Sequence, residues 1–219
     1  MYTEKAANFG LRASYAYDDK YIVEATGMLV GSPRFSTSKR WGFSPAVGLG
    51  WILTEEDFLK DINGIDFLKL KSSFGNTKTD IDAALSTYYM YQNVYNVGGV
   101  YNYGDGIGQN NYMVVQTGNT DIAWIERNEF NIGVESSILN RLLSFEFNYF
   151  ESTRFNEITR LANTYPQFMG GGDFVAYQNY AKRMQKGFEA DINFNKQIND
   201  FRIDIDFNMI NLVPTRLVL

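Results

Sequence analysis

The chain has 219 residues, enough for one large domain or two small ones, and a net charge of −5. Its hydrophobic share of 45% is ordinary, but 16% aromatic residues, with 15 Tyr, 17 Phe and 19 Gly, bias it toward aromatic β structure. It has no cysteine and no histidine, which excludes disulfides, thiolate nucleophiles, His general bases and the usual zinc or copper sites. The acidic balance argues against a nucleic-acid partner, since the longest basic cluster is Lys182 and Arg183 with Lys186.

No apolar run approaches the roughly 20 residues of a membrane-spanning helix, and the opening "MYTEKAANFG" lacks the basic start and apolar core of a signal peptide. The organisation instead follows a period of two. In "NFGLRASYAYD", Phe9, Leu11, Ala13, Tyr15 and Tyr17 share one face and Gly10, Arg12, Ser14, Ala16 and Asp18 the other. After "DDK", "YIVEATGMLV" sets Tyr21, Val23, Ala25 and Leu29 against Glu24 and Thr26. From Arg40 to Leu53, Trp41, Phe43, Val47, Leu49 and Trp51 oppose Gly42, Ser44, Ala46, Gly48 and Gly50. In "DFLKLKSSFGN", Leu68, Leu70 and Phe74 oppose Lys69, Lys71 and Ser73.

The second half repeats this behaviour in "RNEFNIGVESSI", "LLSFEFNYFE", "KGFEADINFN" and "FRIDIDFNM", giving about eight strands, most near the 9 to 11 residues a tilted strand needs to cross a bilayer. Connections alternate in length. Compact ones fall at 18–20, 139–141 and 196–200, with a medium one at 54–66; long ones fall at 31–39, 77–126 and 154–182. Short turns at one end and long loops at the other are the habit of outer-membrane barrels, with the long loops outside the cell. Tyr17, Tyr21, Trp41, Trp51 and Tyr149 are placed as an interfacial aromatic belt would be. Charges on the polar rows, such as Arg12, Glu24, Glu135, Asp191 and Asp204, suit a wetted lumen, where they hydrate the wall, pair with neighbours or tune passage. A soluble antiparallel β-sandwich, in the form of a carbohydrate-binding module, shares the alternation and is the rival reading.

The ordered motifs go further than periodicity. "NFGLRASYAYDDKYIVEATGMLVGSPRFSTSKRWGFSPAVGLGWILTEEDFLK" resembles the late barrel region of SusC/RagA-like TonB-dependent transporters, and "FLKLKSSFGNT", "TGNTDIAWIERNEFNIGVESSILNRLLSFEFNYFEST" and "MQKGFEADINF" resemble later strands of the same family in the same order. The likeness covers about residues 8–211. It implies an all-β fold, an antiparallel transmembrane β-barrel fragment of about eight strands with long extracellular loops. Residues 1–211 would be a partial TonB-dependent receptor barrel and 212–219 an atypical tail, where alternation fails and Pro214 cannot donate to a ladder. Ile125 stands where the family usually passes from Trp directly to Glu.

The resemblance further implies a Gram-negative, Bacteroidetes-like outer membrane with lipid around the barrel, and import of an oligosaccharide or peptide by the complete protein. A SusD-like surface lipoprotein and TonB would be its partners, with no nucleic acid, no cofactor and no catalysis. The family's signal peptide, TonB box and plug have no counterpart here, and a fragment of the family's roughly 22-stranded barrel would carry two unpaired sheet edges.

Three loop motifs remain. "TEEDFLKD" reads as a capped turn, with Thr54 three residues before Asp57; its carboxylates Glu55, Glu56 and Asp57 diverge too much for a calcium site or a catalytic pair. "YNYGDGIGQNN" and "MGGGDF" lack the Lys and the helix of a phosphate loop and read as flexible loops. The tyrosine-rich segment from Ser86 to Gly104 offers Tyr88, Tyr89, Tyr91, Tyr95, Tyr101 and Tyr103 as candidate contacts to a substrate or surface partner, because Tyr faces stack on sugars and their hydroxyls hydrogen-bond. The competing reading packs them onto the loop and the barrel rim. A glycosidase would need two carboxylates facing one pocket, and the acids here are spread over many strands.

Overall fold

In the computed structural model, residues 6–60, 62–80, 89–104, 106–161, 166, 168 and 174–218 are described. Eight antiparallel strands form one sheet: β1 (Ala7–Tyr17), β2 (Tyr21–Gly31), β3 (Trp41–Ile52), β4 (Ile65–Thr79), β7 (Ile125–Ile138), β8 (Leu143–Thr159), β9 (Gln178–Ile198) and β10 (Phe201–Val218). Neighbours in the sheet are neighbours in the chain, except that β7 follows β4. Between those two lies a separate hairpin of β5 (Val94–Tyr103) and β6 (Ile107–Gln116).

Each sequence-predicted strand is present, but the later ones are longer than the predicted crossing length: β7, β8 and β9 have 14, 17 and 21 residues. The hairpin is a correction. The segment 77–126 reads as loop because the bulge around Gly98 and Gly99 breaks its alternation, yet Gly104 and Gly106 take positive φ and turn β5 into β6. "YNYGDGIGQNN" therefore holds the end of β5 and the start of β6 rather than a flexible loop.

The tight turns follow local chemistry. Asp18 and Asp19 both sit at positive φ, the type I′ arrangement that short polar residues tolerate, and Lys20 N–H bonds back to Tyr17 O at 3.0 Å. Leu139, Asn140 and Arg141 repeat the left-handed conformation between β7 and β8. In "TEEDFLKD" the predicted cap does not form. A short 3-10 turn spans Leu53–Glu55 without a side-chain cap, and Thr54 Oγ1 instead accepts the Leu68 N–H of β4 at 3.4 Å. The hydroxyl is spent on stitching the turn to the next strand. At the other end of the sheet, β10 continues past Pro214, where its pairing with β9 shifts between Val213 and Arg216; an edge strand can carry a proline there.

The sheet has no second layer packed on it among the described residues, so the sandwich alternative is overturned. The chain exposes 15254 Å², where a compact monomer of this mass exposes about 10,000 Å². Side chains such as Leu11 and Ile205 are 78% and 58% exposed. The strands are also inclined. A register row runs from Tyr17 beside its turn through Tyr21, Trp51, Leu70, Val134 and Phe147 to Ala190, far from the β9–β10 turn. It slips about eight residues against the turns over about six strand steps. With about 3.3 Å per residue and about 4.8 Å per step, turns at one level require strands leaning about 40°, the inclination of a closed barrel.

The one buried apolar cluster among the described residues lies at the long-loop end. It consists of Phe35, Met90, Ile122, Trp124, Ile125 and Ile158, with Val30 and Tyr177 against it.

Candidate functional site: polar wall and long-loop rim

The polar face is stitched by charge. Arg12 meets Glu24 at 2.6 Å, Lys69 meets Glu135 at 4.0 Å, Lys71 bonds Glu146, and Asn148 donates to the same Glu146 oxygen at 2.7 Å. Farther along, Asn193 donates to Asp206, and Arg202 pairs with Asp204 at 2.8 Å. Small residues keep this wall open. Gly48, Gly50 and Gly133 floor a groove of about 380 Å³ bordered by Glu24, Lys71 and Glu189. A Cβ on Gly133 would run into Asn148 and lie 2.8 Å from the Phe147 carbonyl, so no larger residue fits between β7 and β8 there.

The opposite face is apolar, and its aromatic residues cross strands. Tyr17, Tyr21 and Trp51 follow one another near the short turns, with ring centroids 6.5 and 6.3 Å apart. Phe9 and Trp41 stand 6.2 Å apart toward the long loops. Four members of the predicted belt thus occupy the two ends of the apolar face. Tyr149 instead sits mid-sheet, opposite Ile132 and Phe188.

Below the first aromatic row, Glu56 receives hydrogen bonds from the Tyr21 hydroxyl at 2.7 Å and the Trp51 indole at 3.0 Å, with Lys20 Nζ at 3.5 Å. The Tyr21 bond first, then the Trp51 bond and the Lys20 charge, hold the Glu56 carboxyl below the ordinary carboxylate range against the opposing effect of desolvation. Of the three adjacent acids in the turn, this one has a structural role that the sequence does not reveal.

The rim is where distant motifs meet. β3 and β4 pair only as far as Ala46 and Gly75, and above that point a cavity of about 400 Å³ opens between them, with Trp124 among its lining residues. Trp124 packs on Phe35 at 4.7 Å between centroids and donates its indole N–H to Lys39 O at 2.9 Å. A Cβ on Gly42 would come within 2.8 Å of the Trp124 ring, so that glycine makes the space the indole uses. "GSPRF" and "TGNTDIAW" are therefore two halves of one cluster. Ile125, the residue that departs from the family pattern, is buried within it, and the adjacent Glu126 pairs with Lys78 at 3.0 Å.

Asn179 of β9 fixes the other side. Its Oδ1 accepts the Ala123 N–H at 2.8 Å, and its Nδ2 donates to Ala123 O at 2.9 Å and Asn156 O at 2.8 Å. Asn156 is the positive-φ residue of a bulge in β8. Asn119 adds a bond to Tyr177 O at 2.8 Å.

Of the tyrosine candidates, Tyr88 lies outside the described residues. Tyr89 and Tyr91 sit at the foot of the hairpin, edge to face at 6.0 Å, and Gln116 Nε2 donates to the Tyr89 carbonyl at 3.1 Å. Tyr95 and Tyr101 are exposed on β5, and Tyr103 pairs with Ile107 across the turn. The five described ones are thus divided between foot and arm, and the structure adds Tyr112 of β6, exposed opposite Val97, which the sequence reading missed. The "MGGGDF" glycines fall outside the described residues. Among the described residues there is no group of three or more acids placed to hold a metal ion, and no helix is long and apolar enough to cross a membrane.

Comparison with known proteins matches this geometry. The family model "TonB dependent receptor-like, beta-barrel" matches residues 6–215. The TonB-dependent receptor SusC of Bacteroides thetaiotaomicron is 30% identical over 90% of this chain and 19% of its own length. TonB-dependent receptor P39 of Formosa agariphila is 31% identical over 69% of this chain and 14% of its own. The chain therefore spans about a fifth or less of these relatives. Among solved structures, the RagAB peptide transporter superposes with a TM-score of 0.72 at 20% identity over 94% of this chain and 22% of that one, a likeness of fold. The unbroken single sheet, its apolar face and the family match together show that the chain belongs to the TonB-dependent receptor-like β-barrel family, as a SusC/RagA-like segment of the barrel.

Proposed function

We propose that the chain is part of the wall and outer rim of an outer-membrane importer, with the apolar face against lipid, the polar face lining the lumen and the long loops outside the cell. The observation that carries this reading is the division of one sheet into an exposed aromatic face and an ion-paired polar face. In a soluble protein the first would be costly. In a barrel wall both faces are satisfied. The complete receptor would draw an oligosaccharide or a peptide past this wall, with TonB supplying energy and a SusD-like lipoprotein outside. SusC and the RagAB peptide transporter are the likenesses that support this assignment.

The tyrosine arm is the part of the rim we assign to the incoming solute or surface partner, through Tyr88, Tyr89, Tyr91, Tyr95, Tyr101 and Tyr103. Its β strands carry no charged side chain, and Asn and Gln alternate with its tyrosines, which suits stacking and hydrogen bonding to neutral hydroxyl-rich groups. Uptake of labelled oligosaccharide and peptide mixtures by cells carrying the complete receptor tests both statements. Replacing Tyr95, Tyr101 and Tyr103 by Ala should lower uptake several-fold while surface abundance stays constant. Unchanged uptake would remove the arm from the substrate path, and uptake independent of TonB would remove the transport reading.

A further inference from the structure

Three arginines occupy one register row: Arg127 of β7 is directly opposite Arg154 of β8, which is directly opposite Arg183 of β9. All three point to the polar face, because Arg127 Nε donates to Ser152 Oγ at 2.8 Å and a single carboxylate, Glu157, serves both Arg154 and Arg183. Like charges directly opposite on a sheet are destabilising. Arg127 pairs with Glu129, and Glu157, its side chain 9% exposed, lies 3.3 Å from Arg154 and 3.8 Å from Arg183. Arg154 and Arg183 thus share the Glu157 carboxylate. The Arg183 approach is also longer than a hydrogen bond, so this pair leaves the fork of five donors free to engage another acceptor.

Position gives the row its meaning. Arg127 lies near the start of β7, Arg154 near the end of β8 and Arg183 near the start of β9, so the row crosses the polar wall just inside the long-loop rim. The bulge at Asn156 turns Glu157 inward beneath it, and Asn179 locks that bulge. The side chains of Arg127 and Arg183 remain 53% and 51% exposed on either side of Arg154. Guanidinium forks recognise planar and tetrahedral oxyanions through paired hydrogen bonds.

We infer that Arg127, Arg154 and Arg183 form an oxyanion-binding ladder at the mouth of the lumen, selecting an acidic oligosaccharide that carries carboxylate or sulfate groups. A saccharide is favoured over an acidic peptide because the hairpin above is rich in Tyr, Asn and Gln, the chemistry of sugar stacking and hydroxyl recognition. This rests on the polar face being the lumen wall. It does not require that transport itself be observed.

The test is equilibrium binding to the complete receptor in detergent. The probes are a galacturonic acid trisaccharide, a neutral galactose trisaccharide and tetraglutamate, titrated at low and high sodium chloride. The acidic sugar should bind about tenfold or more tighter than the neutral one, and the preference should shrink with salt. Arg127→Gln and Arg183→Gln should each weaken acidic-sugar binding about tenfold and leave neutral-sugar binding unchanged, with Arg183→Lys only partly restoring it because an ammonium lacks the fork. Arg127→Gln leaves the buried Glu157 with both its partners, so it reports on recognition even where Arg183→Gln compromises folding. Equal affinity for acidic and neutral sugars, no binding of the acidic sugar, or an Arg127→Gln variant with unchanged preference would overturn the assignment. Preference for tetraglutamate would overturn the saccharide. All of these results leave the transport reading to its own uptake measurement.

Discussion

Trp124 donates its indole N–H to the carbonyl of Lys39 at 2.9 Å, across 85 residues of chain. The bond joins the loop after β2 to the segment leading into β7, above the point where β3 and β4 part. Trp124→Ala removes a buried ring and should cost the rim about 3–5 kcal/mol. Trp124→Phe keeps one aromatic ring but loses the hydrogen bond and the second ring of the indole, a smaller cost of about 1–3 kcal/mol. Hydrogen exchange of residues 32–40 should accelerate strongly in the first and less in the second. Equal protection in both would show that the indole does not hold the loop.

Asn179 replaces a strand's worth of pairing with one carboxamide, engaging Ala123 through both its N–H and its C=O and reaching Asn156 as well. Asn179→Leu should lose up to about 1 kcal/mol for each of these bonds. Asn179→Asp should be worse, since a carboxylate would face two carbonyl oxygens where the amide donated. Protease sensitivity of the 117–124 segment ranks the variants, and an Asp variant as resistant as the native protein would contradict the bonding described.

The Glu56 cluster carries a pH dependence. Its carboxyl is held below the ordinary range by Tyr21, Trp51 and Lys20, so the charged form is favoured by the fold. The resulting stabilisation is present above the ordinary Glu value of about 4.3 and is lost as pH falls through the lower folded value. Trp51 emission in a receptor whose other tryptophans are replaced by Phe should therefore shift only below about pH 4.3. Glu56→Gln should abolish that shift, and its persistence would place the titration elsewhere.

The two faces should respond oppositely to the same charge. Val47→Arg, between the two aromatic ends of β3, places a cation on the apolar face and should cost about 2–4 kcal/mol of insertion stability, the range for a basic residue near the midplane of a barrel. Ser73→Arg, on the adjacent strand and the polar face, should cost less than about 1 kcal/mol. Folding of the complete receptor into lipid vesicles, followed by heat-modifiable migration, measures both. Equal penalties would contradict the assignment of lipid and lumen.

Much of the wall was legible because the strand period of two assigns every residue to a face without reference to partners. Phe9, Leu11 and Tyr15 opposite Arg12 and Ser14 need no tertiary information to be separated. Legibility failed where the backbone departs from that period or where a side chain bonds across distance. The β5–β6 hairpin was hidden by its bulge, and Thr54 looked like a helix cap because a hydroxyl near an acid carries the same local signature whichever N–H it meets. Glu56 looked like one of three equivalent acids, since nothing local says that Tyr21 will reach it.

By itself, then, the sequence determined the eight-stranded antiparallel wall, its two chemically distinct faces, the alternation of short and long connections and the family. These follow from local alternation and from motifs in order. Only the tertiary structure decided that Phe35 and Trp124 close one seam, that Asn179 clamps Ala123 to a bulge in β8, and that Arg127, Arg154 and Arg183 stand side by side. Register between strands is set by the cooperative fit of whole elements, so which residues become neighbours across the sheet is a property of the assembled ladder and not of any segment within it.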